Sequence, residues 1–369
     1  EVEETYNKDF ELVWSVRDSR GFTSYGTVVT PNSVIFFIDP PGTGGDDFIA
    51  LDKITGDTLW VKQAQGTTSK HTVVGNTICY EGAGLFCLDI STGNQLWKIS
   101  NWSKFHLNDF IYANNKIYAF YDLGGGIAGD STKLYEIDNT TGFKTEKFTI
   151  YGADRQGYNQ VPKGMVYWKH PNGNDIILTQ SIGYINLPRE RGEYFAIDIT
   201  GDSMYWDLGN YFYDGDINSG GIGSNPFIIN NNVYLNNGWI YNASINLQTK
   251  TVNWKTQVPT SFRTGLGIME ELNGKIFQSL GNASNFNIIN TNDGSFYKNY
   301  NNLGSDNWAP GMKKYNNHIY FSSSKGFYKM NGNGDIAKQI LAKNDRIAKT
   351  NLDVTVQTVG GTIQTLDID

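Results

Sequence analysis

Apolar residues recur along this chain in short alternating runs broken by tight turns. "TVVGNTICY" (residues 72–80), "IYANNKIYAF" (111–120), "FIINNNVYL" (227–235), "MEELNGKIFQ" (269–278) and "MKKYNNHIYF" (312–321) each set two alternating stretches about a turn of Asn or Gly. Period-two alternation marks half-buried strands, and Asn and Gly supply the positive φ values that two-residue hairpins need. "VVTPNSVIFF", "WKHPNGNDIIL" and "VQTVGGTIQTL" repeat the plan, which makes eight such hairpins. No stretch carries a convincing helical period.

A second pattern follows the first. "FIALDKITGDTLWVK" (48–62) and "LFCLDISTGNQLWKI" (85–99) each run from an apolar strand to Asp, then Thr-Gly, then Trp eight positions after the Asp. "YFAIDITGDSMYWDL" repeats it with Asp198, Gly201 and Trp206, and "IYNASINLQTKTVNWKT" keeps the step from Asn246 to Trp254. Weaker copies centre on Asp138, Asn290 and Asn331, for seven in all. Each unit therefore predicts strand A, a tight turn, strand B, a variable loop, strand C ending in Asp, a Thr-Gly turn, and strand D ending in Trp. Four antiparallel strands at a fixed repeat make a β-propeller blade.

The expected fold is all-β: one eight-bladed β-propeller of four-stranded antiparallel blades over residues 1–369. Eight first halves against seven second halves imply that the chain ends share the last blade. The C-terminal "TVQTVGGTIQTLDID" is expected to supply its A and B strands, and the N-terminal segment around Trp14 its D strand and C strand. Joining the ends in this way closes the ring and removes an exposed sheet edge.

Composition agrees with this reading. Among 369 residues, 41 Gly, 22 Tyr and 20 Phe with 18% charged residues describe short strands and tight turns. A net charge of −7, with no cluster of Lys or Arg, argues against a nucleic-acid partner. No apolar run reaches the roughly 20 residues that span a bilayer. Export remains open, because a removed signal segment, with or without a lipid anchor, leaves no trace in the processed chain. Cys79 and Cys87 fall symmetrically on neighbouring strands. Two small buried apolar residues are the expectation, since directly opposed cysteines usually strain a disulfide, although a cross-strand bond is the alternative.

The pattern from Ala50 to Trp60 and from Cys87 to Trp97 resembles the tryptophan-docking repeat of the pyrroloquinoline-quinone-like, or quinoprotein, eight-bladed propellers. The likeness is specific at Trp14, Trp60, Trp97, Trp206 and Trp254, and degenerate where Glu146 or Lys298 stands at the Trp position. It implies structural roles: Asp accepts turn amides, Gly takes the left-handed conformation, and Trp fills the wedge between blades. It also implies a test for quinone and calcium chemistry. Alcohol-oxidising quinoproteins often carry a disulfide of adjacent cysteines over the cofactor, and this sequence has no adjacent pair. The resemblance therefore points to a non-catalytic, BamB-type branch of the fold more than to the dehydrogenases, with no quinone expected.

Function is expected where the repeat stops repeating. The loops from each D strand to the next A strand gather on one face and carry Arg20, Trp102, Arg155, Tyr158, Tyr213, Arg263, Trp308 and Arg346. Arg and aromatic residues are what partner-binding surfaces concentrate, and aromatic rings also stack on sugars, which keeps a carbohydrate-binding or carbohydrate-processing propeller as the alternative. "DGDINSGG" offers Asp214, Asp216 and Asn218 at alternating positions, a spacing suited to calcium, although it departs from the helix-loop-helix calcium pattern. The leading expectation is an exported cell-envelope scaffold that binds a protein partner, with periplasmic or outer-membrane location. The four histidines show no metal-ligand spacing.

Overall fold

A computed structural model describes residues 11–17, 28–38, 47–64, 71–82, 84–100, 110–122, 131–151, 161–184, 190–207, 226–236, 241–258, 267–280, 285–301, 303, 312–323, 326–341, 346–350, 354–357 and 362–367. All regular structure among them is strand.

In chain order the strands are β1 (Glu11–Arg17), then β2 (Val28–Val29), β3 (Ser33–Ile38), β4 (Asp47–Asp52) and β5 (Thr58–Gln63). Next come β6 (His71–Val74), β7 (Thr77–Glu81), β8 (Gly84–Asp89) and β9 (Gln95–Ser100), then β10 (Phe110–Ala113), β11 (Lys116–Asp122), β12 (Ser131–Asp138) and β13 (Lys144–Tyr151). They continue with β14 (Val161–Lys169), β15 (Asp175–Tyr184), β16 (Glu190–Asp198) and β17 (Ser203–Asp207), and with β18 (Phe227–Ile229), β19 (Asn232–Asn236), β20 (Tyr241–Asn246) and β21 (Thr251–Gln257). The remainder are β22 (Gly267–Leu272), β23 (Lys275–Leu280), β24 (Phe286–Asn290), β25 (Phe296–Tyr300), β26 (Met312–Tyr315), β27 (His318–Ser323), β28 (Gly326–Asn331), β29 (Ile336–Leu341), β30 (Arg346–Thr350), β31 (Val354–Gln357) and β32 (Thr362–Asp367).

Among the described residues these form eight four-stranded sheets, seven from consecutive strands and one ordered β1-β32-β31-β30. Antiparallel sheets of this kind are the parts from which β-propellers are built. The eighth sheet corrects the sequence-based expectation: three of its strands come from the C-terminus and only β1 from the N-terminus. Its second and third strands are β31 and β32, and its first strand is "RIAKT", a segment expected to be loop. β1 pairs with β32 from Glu11 opposite Asp367 to Arg17 opposite Thr362.

The chain falls into two compact units. One comprises residues 1–95, 270–288 and 298–369, the other residues 96–269 and 289–297. In the first, Ile35, Phe48 and Ala50 of one sheet pack with Ile78, Tyr80, Phe86 and Leu88 of the next, and Trp60 lies against them. In the second, Tyr118, Phe120 and Leu134 pack with Ile177, Phe195 and Ile197. A sheet thus meets its successor through alternate residues, as period-two patterning demands.

The tight turns bear out their residue types. Asn114 and Asn115 (φ 53° and 60°), Asn273 and Gly274 (54° and 72°), and Asn316 and Asn317 (42° and 57°) are all left-handed. Cys79 stands directly opposite Cys87, with Cα atoms 4.1 Å apart and both sulfurs joined in a disulfide. This overturns the expectation of two separate thiols.

Candidate functional site

The repeated corner between the third and fourth strands of the sheets formed from consecutive strands is built on its Asp or Asn. The Asp52 carboxylate accepts the amides of Ile54 (2.8 Å) and Thr55 (2.9 Å), and Asp138 those of Thr140 and Thr141 (3.0 Å each). Asp198 accepts Thr200 (2.9 Å) and Gly201 (3.0 Å), while Asn246 does the same for Gln248 (3.0 Å) and Thr249 (2.9 Å). The amides of Gly56, Gly93 and Gly142 then close the turn by donating to the backbone carbonyls of Asp52, Asp89 and Asp138.

The aromatic that follows docks on the next sheet's corner. The Trp60 indole donates to the Ile90 carbonyl (2.9 Å), Trp97 to Asn139 (2.6 Å) and Trp254 to Thr291 (2.8 Å). Each acceptor is the residue after the next corner's Asp or Asn. The same rings explain the glycines, because a Cβ added at Gly93 would stand 2.7 Å from Trp60, and one at Gly142 would stand 2.7 Å from Trp97. These glycines are needed both for positive φ, 69° and 73°, and for the absence of a side chain.

A β-bulge sets the aim of the docking residue. Ala50 faces Trp60 but Leu51 faces Thr58, so Leu59 is an extra residue that puts Trp60 on the packed face. In the β16–β17 pair the extra residue is Tyr205, and its hydroxyl donates to the Leu247 carbonyl (2.9 Å). Tyr205, beside the Trp206 that the sequence pattern marks, thus makes a bond to the next corner. Where Glu146 replaces Trp, the extra residue is Lys147, which pairs with Asp202 (2.8 Å). Where Lys298 replaces Trp, its ammonium meets Asp335 (2.7 Å), and Tyr300 donates to the Gly334 carbonyl (2.6 Å). Single-residue alignment to the Trp hid these substitutes, and the signal that reveals them is a polar or aromatic residue one or two positions from the expected Trp.

Three corner carboxylates, Asp52, Asp89 and Asp138, are held below the usual range. Asp52 is lowered by the turn amides of Thr55 and Ile54, Asp89 by the Ser91 hydroxyl, and Asp138 most of all, first by the Lys116 ammonium and then by its turn amides. Lowered pKa values mean that the unfolded chain binds more protons in the window between the folded and unfolded values. Stability therefore rises with pH across that window and is lost as pH falls through it. Thermal unfolding should give a melting temperature that is flat between about pH 7 and 5 and falls below about pH 4. Asp138→Asn, which keeps the turn as Asn246 does, should shrink that fall.

These groups are consumed by the fold and leave no free acid–base pair at the corners. Among the described residues no group of three or more His, Cys, Asp or Glu could hold a metal ion. The residues expected to bind a partner, Arg20, Trp102, Arg155, Tyr158, Tyr213, Arg263 and Trp308, lie outside the described residues, as do Asp214, Asp216 and Asn218. The structure frames most of them between strands: Trp102 between β9 and β10, Arg155 and Tyr158 between β13 and β14, Tyr213 between β17 and β18, and Arg263 between β21 and β22. Arg346 is the exception, since it begins β30 opposite Gln357.

Cys79 and Cys87 are fully buried inside the β7–β8 ladder and bonded to each other.

A family model described as outer membrane protein assembly factor BamB matches residues 4–256. Among solved structures the chain is similar to BamB from Moraxella catarrhalis, at 13% identity and a TM-score of 0.64, over 97% of this chain and 99% of that one. It is also similar to the quinohemoprotein alcohol dehydrogenase ADHIIG from Pseudomonas putida HK5 (11%, TM-score 0.68, 98% of this chain and 76% of that one). Saccharomyces cerevisiae Sqt1 matches at 9% and a TM-score of 0.68, over 95% and 97% of the two chains. Identities this low show a shared fold. No curated protein sequence matches.

Proposed function

The chain belongs to the outer membrane protein assembly factor BamB family, and from that premise we propose that it is a non-catalytic binding scaffold of the cell envelope. The observation that carries this is the corner itself. Every repeated Asp described there spends its carboxylate on its own turn, and the docking aromatics spend their polar atoms on the next corner. At the described corners these atoms are occupied by the fold, which moves function to the loops between repeats.

In this reading the eight sheets are blades of one ring over residues 1–369, closed by the pairing of β1 with β32. The loops from each fourth strand to the next first strand form the binding face, with Arg20, Trp102, Arg155, Tyr158, Tyr213, Arg263 and Trp308 as its anchors. Arg346 drops out of that set, being part of a strand. The partner is a protein of the outer-membrane assembly machinery, as the family description suggests. No quinone takes part, and calcium at Asp214, Asp216 and Asn218 is not required for binding. The Cys79–Cys87 disulfide supports an oxidising, exported location, since disulfides rarely persist in the cytosol.

The test is capture of envelope proteins by photo-crosslinkers placed at Trp102, Arg155 and Arg263, against controls placed at the corner residues Ile54 and Phe143. A partner trapped only from the loop positions is expected. Weakening by about 10-fold or more in Trp102→Ala with Arg155→Ala, at unchanged melting temperature, would match the loss of two interface anchors. Equal trapping from both sets would overturn the assignment of the face, and competition by soluble oligosaccharide would favour a glycan ligand instead.

A further inference from the structure

Gln278 on β23 and Asn287 on β24 are fully buried. Both the amide nitrogen and the carbonyl oxygen of Gln278 lack a hydrogen-bond partner, as does the Asn287 amide nitrogen. The Asn287 oxygen is satisfied by the side-chain amide of Asn299 on β25. All three residues belong to the same compact unit. A buried primary amide with neither end paired is rare in proteins, because the group gives up its bonds to water for nothing.

The position makes the pair more unusual. Counted from the strand ends, Gln278 and Asn287 occupy the places held elsewhere by the directly opposed pairs Phe36–Ile49, Tyr80–Phe86 and Phe321–Tyr328. Those pairs are apolar or aromatic and buried. Three unpartnered amide groups therefore gather at a point that the repeat otherwise fills with hydrocarbon. The groups comprise two NH₂ donors and one carbonyl acceptor, so a single occupant that pairs with all three must both accept and donate. A water molecule does both, and buried waters characteristically make about three bonds to groups of this kind.

We propose that Gln278 and Asn287 form an internal hydration site that holds an ordered water within the β22–β25 sheet. The water accepts from the amide nitrogens of both residues and donates to the Gln278 carbonyl. Asn299 holds Asn287 in place through its oxygen and so directs the Asn287 nitrogen toward the water.

A crystal structure at a resolution that shows ordered solvent tests this directly, together with the same structure of the variant Gln278→Leu with Asn287→Ile. The expected result is a water about 2.7–3.2 Å from both side chains in the parent. In the variant that water is lost, and the melting temperature is unchanged or higher, because both polar partners are removed together. The proposal is overturned if the parent shows the two amides bonded directly to each other, bonded to other protein groups, or bound to something other than water. It is also overturned if the water persists in the variant. Should the variant fail to fold, the parent structure decides alone.

Discussion

Replacing Trp97 by Ala is expected to cost about 3–5 kcal/mol, the usual loss for a buried aromatic truncated in a close-packed core. Trp97 is only 7% exposed, and its indole bonds the Asn139 carbonyl at 2.6 Å. Truncation removes the ring, leaves that carbonyl without its donor and opens space over Gly142. Gly142→Ala should destabilise by a separate route: about 1–2 kcal/mol for forcing a side chain into the left-handed region, plus the clash of its Cβ with the Trp97 ring. The two routes share the ring. In the Trp97→Ala background, Gly142→Ala should therefore cost only the backbone part, giving a coupling of about 1 kcal/mol or more between the two sites. Thermal or denaturant unfolding of the two single variants and the double variant measures it. Strict additivity would show that the ring and the glycine do not press on each other.

Deleting residues 1–17 is expected to lower the melting temperature by about 10 °C or more, or to drive aggregation. The deletion removes β1 and leaves the β32 edge unpaired, an open template for other chains. Truncation alone does not separate loss of the strand from other effects of shortening the chain, so the informative partner is a circular permutant. Moving β1 to follow β32 through a short hairpin, with new ends before β2, restores the β1–β32 pairing in its observed antiparallel register. If the sheet needs the strand but not its origin, the permutant should melt within a few degrees of the parent. A permutant as unstable as the deletion would argue that β1 acts otherwise than as the fourth strand of that sheet.

Much of this architecture was legible in the sequence because its determinants are local. Asn114–Asn115 and Asn316–Asn317 state the turn and the Thr-Gly corners state the next, so the number of units follows from counting. What was hidden depends on register. The alternation in "VQTVGGTIQTL" fits either a first and second or a second and third strand, and the choice of three C-terminal strands in the shared sheet is decided by pairing across the whole chain. Likewise, the Tyr205 bond to the Leu247 carbonyl runs to the next sheet, and no residue type beside Trp206 marks it. The disulfide needed Cys79 and Cys87 to be paired in space, which the symmetry of the hairpin suggested without deciding. Residue type does not tell a loop from a strand end, and Arg346 begins β30.

The docking bonds all run one way, from a sheet's last strand to the corner one period later: Trp60 to Ile90, Trp97 to Asn139, Tyr205 to Leu247 and Trp254 to Thr291. Donor and acceptor are thus half-joints of a single cassette, and duplication of one period regenerates a complete joint whatever residue it starts from. That freedom of phase is how such a chain can lengthen by copying. The ion pairs Lys147–Asp202 and Lys298–Asp335 work differently. Each sets a lysine of one sheet's last strand against an aspartate four residues past the Asp or Asn of the next corner, so an ammonium–carboxylate contact stands where the other joints have an aromatic–carbonyl bond.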